Sequence, residues 1–340
     1  MMSHPTRFTD VAQLETVMST PSQALVADLK NLEGDLLILG VGGKMGPTLA
    51  RMAKQAAPHK RVIGVARFSE PGLQASLTAH GIECIACDLL SQEALQALPD
   101  VPNVVFMAGR KFGSQGSEWL TWAMNVHVPA LVAQRFARSR IVAFSTACVY
   151  PFVEVTGPGA PESLAPTPVG EYANSCVGRE RMFEHFSHQY QTPGRLIRLS
   201  YAIDMRYGVL HDLAQQILQR QPIDLTMGYA NLIWQGDANE RSLRALCHCT
   251  NPTTGLNLSG PKVAIREAAQ GLAQRLGLEV RFTGTEAPTA WLVDCREADA
   301  LWGPPPVGLA QMLDWTADWV ARGQPSLNKP THFEVRDGQY

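Results

Sequence analysis

A glycine-rich turn is the first set of residues whose spacing points to a chemical task. Glycines at 40, 43 and 46 give G-x-x-G-x-x-G, between an apolar run at 35–40 and a helical pattern at 44–56. Such a turn lets the backbone approach a pyrophosphate, whose charge the free N–H groups of the helix N-terminus attract. We therefore predict a dinucleotide site made by Gly40, Gly42, Gly43, Lys44, Met45 and Gly46.

The residues that follow the second and third apolar runs bear on which dinucleotide binds. NAD usually calls for an acid at the end of the second strand, but this run ends at Ala66 and Arg67 follows. An arginine there can pair with a 2′-phosphate, so we predict NADP, with NAD as the alternative if Arg67 is only solvated. Asp88 is a candidate to bond the adenine amino group, or only to cap the next helix.

The elements that position these residues follow from six alternations of apolar run and helical pattern. The runs lie at 35–40, 61–66, 81–86, 103–108, 140–145 and 195–202. Continuous apolar runs are typical of strands buried on both faces, and their alternation with helices predicts an α/β fold with a doubly wound parallel Rossmann sheet.

The alternation of apolar runs and helical patterns does not extend to either end of the chain. Two short helices, broken at Thr20-Pro21, form an N-terminal extension over 1–33. The Rossmann domain covers 34–202, with a further strand near 255–260, and 203–340 is mainly a smaller α+β substrate-binding lobe. Such a lobe should lie over the carboxyl ends of the strands, where ligands bind in these folds.

Composition restricts the partners and the compartment. Of 340 residues, 45% are apolar and 18% charged, and the formal net charge is −2, so no basic excess favours nucleic acid. No apolar run reaches the roughly 20 residues that span a bilayer, and no signal-peptide pattern follows the first residues. Seven scattered cysteines fit reduced thiols in the cytoplasm better than a disulfide framework or a metal site.

Several motifs are shared with one known family. Ser145–Tyr150 reads S-T-A-C-V-Y, which fits S-[ST]-x-x-V-Y, and Tyr172 stands 26 residues after Thr146. Together with the glycine turn these motifs resemble the extended short-chain dehydrogenase/reductase family, which includes NAD-dependent epimerases and dehydratases of sugars. The resemblance covers roughly 34–325, and its further cofactor-binding matches are Asp88-Leu89, Met107-Ala108-Gly109 and Asn125-Val126. Where the family has R-x-x-N, this chain has Ser200, which weakens the case for a nucleotide-sugar substrate.

The resemblance implies an enzyme that transfers a hydride between a carbon bearing oxygen and the nicotinamide. Tyr172 would take the hydroxyl proton and Thr146 would orient the substrate oxygen. The implied substrate is a sugar or sugar acid, handled by an oxidoreductase, epimerase or dehydratase. In the family the helices matching 117–139 and 170–190 pair into a four-helix bundle, so we predict a homodimer.

One residue departs from the family pattern. The family has a lysine one helical turn after the tyrosine, which lowers the tyrosine pKa and bonds the nicotinamide ribose, but this chain has Cys176. Of two cations that could compensate, Arg179 could be an ordinary surface residue, and Lys111 lies in the loop after the fourth strand, flanked by Gly109 and Gly113. We predict Lys111 as the third catalytic residue. The alternatives are the Cys176 thiol as base, or a silent NADP-binding sensor.

Overall fold

The helices follow the predicted pattern along the chain. The computed structural model describes residues 4–111 and 116–338. The helices are α1 (Val11–Met18), α2 (Gln23–Asn31), α3 (Gly46–Ala56), α4 (Leu73–Ala79), α5 (Gln92–Gln96), α6 (Glu118–Trp122), α7 (Val128–Arg135), α8 (Glu171–Tyr190), α9 (Val209–Leu218), α10 (Gln235–Arg244), α11 (Ile265–Leu276), α12 (Arg296–Trp302) and α13 (Leu309–Ala321). None of these is both long and apolar enough to cross a membrane.

The strands divide into one large sheet and three small ones. They are β1 (Leu36–Leu39), β2 (Val62–Ala66), β3 (Glu83–Ala86), β4 (Asn103–Phe106), β5 (Arg140–Thr146), β6 (Val153–Glu154), β7 (Gly194–Leu199), β8 (Tyr201–Ile203), β9 (Ile223–Asp224), β10 (Tyr229–Trp234), β11 (Thr254–Leu258), β12 (Lys262–Ala264), β13 (Phe282–Thr283) and β14 (Thr289–Ala290).

The large sheet confirms the predicted fold class. Its seven parallel strands run in the order β11-β7-β5-β4-β1-β2-β3, and the strand predicted near 255–260 is the edge strand β11. In register, Leu37 of β1 lies beside Ile63 of β2 on one side and Val104 of β4 on the other. All four residues of β1 are buried, because helices cover both faces of the sheet. The strand order reverses between β1 and β4, which in such sheets opens a ligand crevice.

The N-terminal extension packs on both parts of the protein. Phe8 stacks on Trp234 with ring centroids 5.9 Å apart, and Leu14 and Met18 of α1 are buried in the apolar core of the second half of the chain. Leu25 and Leu29 of α2 instead pack in the core beside α3 and the main sheet. The extension therefore holds one side of the crevice in place.

The C-terminal segment after α13 is also tied to the second half of the chain. The backbone N–H of Leu327 donates to the carbonyl oxygen of Arg206 at 3.0 Å. Further along, the Thr331 hydroxyl donates to the Asp212 carboxylate at 2.6 Å. These bonds hold the segment beside residues 204–212, which lie on the lobe side of the crevice.

The predicted helix at 117–139 contains an interruption. Between α6 and α7 the chain makes a π-helical turn, Ala123–His127, with one extra residue in the turn. Asn125 lies in this turn and is fully buried. The apolar spacing on either side is helical, so the sequence pattern gave no sign of the change in hydrogen bonding.

Candidate active site

A large cavity lies at the carboxyl ends of the central strands. Its volume is about 1020 Å³, and its walls come from the glycine-rich turn, the ends of β4 and β5, the start of α8 and the second half of the chain. The cavity coincides with the point where the strand order reverses, as expected for this class of sheet.

The glycine-rich turn forms the floor of the cavity because side chains are excluded there. Gly40 has φ +86°, and a Cβ on it would lie 2.6 Å from the backbone nitrogen of Ala108. A Cβ on Gly46 would overlap the carbonyl oxygen of Val41. These contacts require glycine at both positions, so that strand β1, helix α3 and the turn after β4 can approach one another. The exposed Gly42 and Gly43 leave their backbone open to a ligand.

Tyr172 and Thr146 both line the cavity, as predicted. Thr146 ends β5, where its hydroxyl accepts a hydrogen bond of 3.2 Å from the backbone N–H of Cys148. Tyr172 lies in the first turn of α8. Burial raises the pKa of its phenol well above the usual value, and a hydrogen bond with Cys176 acts in the same direction, while Arg179 lowers the pKa. A proton acceptor in this position needs a nearby cation to favour phenolate.

Lys111 is brought to Tyr172 from a different strand. Its ammonium nitrogen lies 5.9 Å from the centroid of the Tyr172 ring, and the residue lines the same cavity. Burial lowers the pKa of Lys111, and the neighbouring thiols and Asp212 partly offset that effect. The structure thus brings together the three side chains predicted as catalytic. Gly113, expected to flank Lys111, lies outside the described residues.

Cys176 is a packing residue in the structure. It is fully buried in an apolar cluster with Val149 and Val293 beneath the cavity. Burial raises the pKa of its thiol, with Arg179 and the hydrogen bond to Tyr172 opposing that shift. A neutral thiol with a raised pKa is a poor substitute for a lysine ammonium.

Arg179 is buried, so the interpretation as a surface residue is wrong. It is 5% exposed, and its guanidinium donates to the carbonyl oxygen of Phe144 and to Oδ1 of Asn125, both at 2.7 Å. A Cβ on Gly109 would collide with the same guanidinium. Its position two turns along α8 places it behind Tyr172, where its charge lowers the phenol pKa.

Other residues predicted to contact the cofactor lie further from the cavity. Arg67 is exposed and is not among the described residues that line it. Asp88 accepts a hydrogen bond from the backbone of Leu90 at 3.0 Å, while Ser91 caps α5, so the capping alternative for Asp88 is wrong. The remaining three, Leu89, Ala108 and Asn125, are buried and shape the turns behind the cavity.

The sequence pattern does not predict several of the residues that line the cavity. Glu15 comes from the N-terminal extension, Leu327 and Lys329 from the C-terminal segment, and Trp291 from the loop after β14. Each lies far in sequence from the glycine turn and from Tyr172. Only packing of the extension and the C-terminal segment against the lobe brings them to the cavity.

A buried polar network supports the strand end that carries Thr146. The Ser145 hydroxyl donates to Glu180 at 2.6 Å, and Arg198 pairs with the same carboxylate at 2.7 Å. Arg198 also donates to the Tyr150 hydroxyl at 2.6 Å. The side chain of Arg198 is 5% exposed and that of Glu180 is 0% exposed, so this ion pair is internal and does not face a ligand.

Comparison with known proteins agrees with this geometry. A family model described as "NAD dependent epimerase/dehydratase family" matches residues 36–248, which is more than half of the chain. The chain belongs to this family. The matched region includes the glycine turn, Thr146, Tyr172 and Lys111. No curated protein sequence matches the chain at a significant level.

Several solved structures share the fold of this chain. UDP-glucuronic acid 4-epimerase from Bacillus cereus, in complex with UDP-glucuronic acid and NAD, is 18% identical with a TM-score of 0.69, over 85% of this chain and 99% of that one. A UDP-galactose 4-epimerase is 18% identical with a TM-score of 0.67, over 85% and 99%. Pal from Bacillus thuringiensis is 16% identical with a TM-score of 0.70, over 85% and 100%.

Proposed function

We propose that this member of the epimerase/dehydratase family transfers a hydride between a nicotinamide dinucleotide and a sugar or sugar acid. The observation that carries the proposal is the convergence of Tyr172, Thr146 and Lys111 on the cavity floored by the glycine-rich turn. Solved relatives of this fold bind NAD, and one is a complex with UDP-glucuronic acid and NAD. Whether the hydride returns to the same molecule decides between an epimerase or dehydratase and a net oxidoreductase.

The cavity fits a dinucleotide. The glycine turn and the N-terminus of α3 offer backbone N–H groups to a pyrophosphate, and a Cβ at Gly40 or Gly46 would close the approach of the surrounding segments. At the far end of the cavity Glu70, Leu73 and Ser76 line a space for the adenosine half. When bound, the dinucleotide supplies the hydride acceptor or donor.

The chain's own residues handle the proton and the orientation. Thr146 holds the substrate hydroxyl beside Tyr172, and the Tyr172 phenolate accepts the hydroxyl proton as the C–H bond is broken. Burial raises the pKa of this phenol, and the charge of Arg179 lowers it. Lys111 adds a second positive charge 5.9 Å from the ring centroid, in place of the lysine that the family has where Cys176 stands.

The experiment for this proposal separates enzyme from sensor. NAD and NADP binding is measured first by calorimetry, and then nicotinamide absorbance is followed with sugars, sugar acids and polyols. Inversion at a carbon of the substrate, with retention of a deuterium label placed on that carbon and no net change in absorbance, would identify an epimerase. A protein that binds the dinucleotide but gives no hydride transfer and no conversion of any compound would fit the alternative, a catalytically silent module that senses the dinucleotide state.

We infer that a preference for NADP would depend on Arg67, which is exposed just after β2 and outside the cavity lining. We expect Ala66→Asp combined with Arg67→Ala to shift preference towards NAD, because one charge-assisted phosphate contact, worth about 1.5–3 kcal/mol, is lost. Dissociation constants for NAD and NADP measure the shift, and Arg61→Ala at the start of β2 is the control. A wild-type protein that already prefers NAD would contradict the assignment and point to Glu70, which lines the adenosine end of the cavity, as the ribose contact.

We also propose that the protein is a homodimer through α6, α7 and α8. Trp119 and Trp122 of α6 are 72% and 40% exposed. Phe186 of α8, in contrast, is buried in the chain's own core. Sedimentation at micromolar concentration should give the mass of two chains, and Trp119→Glu should give one. A wild-type monomer would refute the proposal.

A further inference from the structure

Lys44 differs from the rest of the glycine-rich turn because its side chain crosses the cavity. Its ammonium nitrogen donates to the carbonyl oxygen of Ala202 at 3.3 Å and lies 4.0 Å from the centroid of the Tyr207 ring. Both partners belong to the segment that leads from the main sheet into the lobe. The side chain is therefore directed towards the substrate side, and not back along the turn where a pyrophosphate would lie.

The groups around Lys44 lower its pKa and occupy part of the space around its ammonium group. Burial lowers the pKa of Lys44 to about 8, with Asp204 opposing the shift and both Arg206 and Lys111 adding to it. An ammonium group has three donors, and Ala202 accepts from one of them. The Tyr207 ring covers another side of the group, which leaves a direction that opens into the cavity.

The charges of the cavity wall favour an anion at this place. The two arginines that line the cavity, Arg51 and Arg206, both pair with Glu15, at 3.1 and 2.9 Å. Arg206 also pairs with Asp204 at 2.8 Å. The positive charges of these arginines are therefore largely neutralised by their carboxylate partners.

Basic residues outnumber acidic ones in the described lining of the cavity. Lys44, Lys111 and Lys329 line it together with the two arginines, whereas its acidic residues are Glu15 and Glu70. An excess of one sign of charge in a cavity wall concentrates a ligand of the opposite sign. NAD with a cationic nicotinamide carries a net charge of about −1, which leaves positive charge for a second anion; the additional 2′-phosphate of NADP would lie by Arg67, outside this lining.

We propose that Lys44 binds an anionic oxygen group, a carboxylate or a phosphate, of the substrate. This inference rests on the proposed function and narrows it to acidic or phosphorylated sugars. The Tyr207 ring and the Ala202 carbonyl fix the ammonium between the dinucleotide and the lobe, so the anionic group would orient the substrate with its reacting carbon towards Tyr172. Lys329, carried by the C-terminal segment, strengthens the field on the same side.

The test measures anion binding to the protein saturated with NAD. The probes are inorganic phosphate and D-glucuronate, with D-glucose as the neutral counterpart, and titration calorimetry gives the dissociation constants. Lys44→Met is expected to raise the dissociation constant of at least one anionic probe by about 10-fold or more, since a hydrogen bond to a charged group is lost. Lys44→Arg should restore it in large part, and D-glucose should not respond to either change.

Controls distinguish this result from damage and from cofactor binding. Lys30→Met removes an exposed lysine on α2 and should behave as wild type. Circular dichroism melting checks that Lys44→Met is folded. If Lys44→Met weakens NAD and leaves the anions unchanged, Lys44 serves the cofactor and the proposal is wrong. The proposal is also wrong if neither anion binds the wild-type NAD complex, or the NADP complex where only NADP binds, whereas failure of both dinucleotides to bind overturns the proposed function instead.

Discussion

Replacing Lys111 by methionine is expected to lower turnover by about 100-fold or more, the scale of general acid–base assistance. Methionine keeps the length of the side chain and removes the charge 5.9 Å from the Tyr172 ring centroid. Without that cation the phenol, whose pKa burial already raises, ionises at still higher pH. The pH optimum should therefore move upward. A pH–rate profile of kcat, taken with whichever sugar, sugar acid or polyol proves to be the substrate, measures both effects.

Changes at Cys176, alone and combined with Lys111→Met, show which group replaces the missing lysine. Cys176→Ser should leave the rate nearly unchanged, because the buried thiol is assigned no chemistry. Cys176→Lys in the Lys111→Met protein should recover part of the rate and move the pH optimum back. An inactive Cys176→Ser protein beside a normal Lys111→Met protein would overturn this mechanism and identify the thiol as the base. Normal rates in both variants would leave Arg179 as the compensating charge.

A large loss of stability is expected when the ion pair of Glu180 and Arg198 is broken. Glu180→Gln should lower the free energy of unfolding by about 3–5 kcal/mol, because Arg198 would then be a buried charge without its partner. The pair is enclosed, with side chains 0% and 5% exposed, and Arg198 donates to Glu180 through two of its nitrogens. Urea unfolding monitored by circular dichroism gives the difference in free energy.

A matched control separates this effect from the loss of any carboxylate. Glu83 pairs with Arg61 at 3.0 Å, and these two side chains are 46% and 55% exposed, so Glu83→Gln should cost no more than about 1 kcal/mol. The double variant Glu180→Gln with Arg198→Met removes both charges and should be more stable than Glu180→Gln alone. Equal losses for Glu180→Gln and Glu83→Gln would show that the internal pair contributes little more than a surface one.

The main sheet and its glycine turn could be predicted from local pattern. Apolar runs flanked by helical spacing located six strands of the main sheet, because a parallel strand covered on both faces needs apolar residues throughout. The small sheet of β8, β10 and β12 was not predicted. Two of its strands, β8 and β12, have three residues each, and the pairing joins segments that are distant along the chain.

The candidate site was predicted in part, for a related reason. Tyr172 and Thr146 are recognisable because their spacing is set by one helix and one strand end. The position of Lys111 was a prediction from topology, since loops at the carboxyl ends of parallel strands meet at one edge of the sheet. Its distance from Tyr172 required the folded structure.

By itself, the sequence determined the parallel sheet, the glycine-rich turn and the pair Thr146 and Tyr172, because each depends on short-range spacing. Tertiary structure alone decided that Arg179 is buried, that Lys44 points to the lobe, and that Glu15 and Lys329 reach the cavity. Burial and charge pairing arise between segments far apart in the chain, such as Glu15 with Arg206. No local pattern encodes them, since the same side chain on a helix is solvated or buried according to what packs against it.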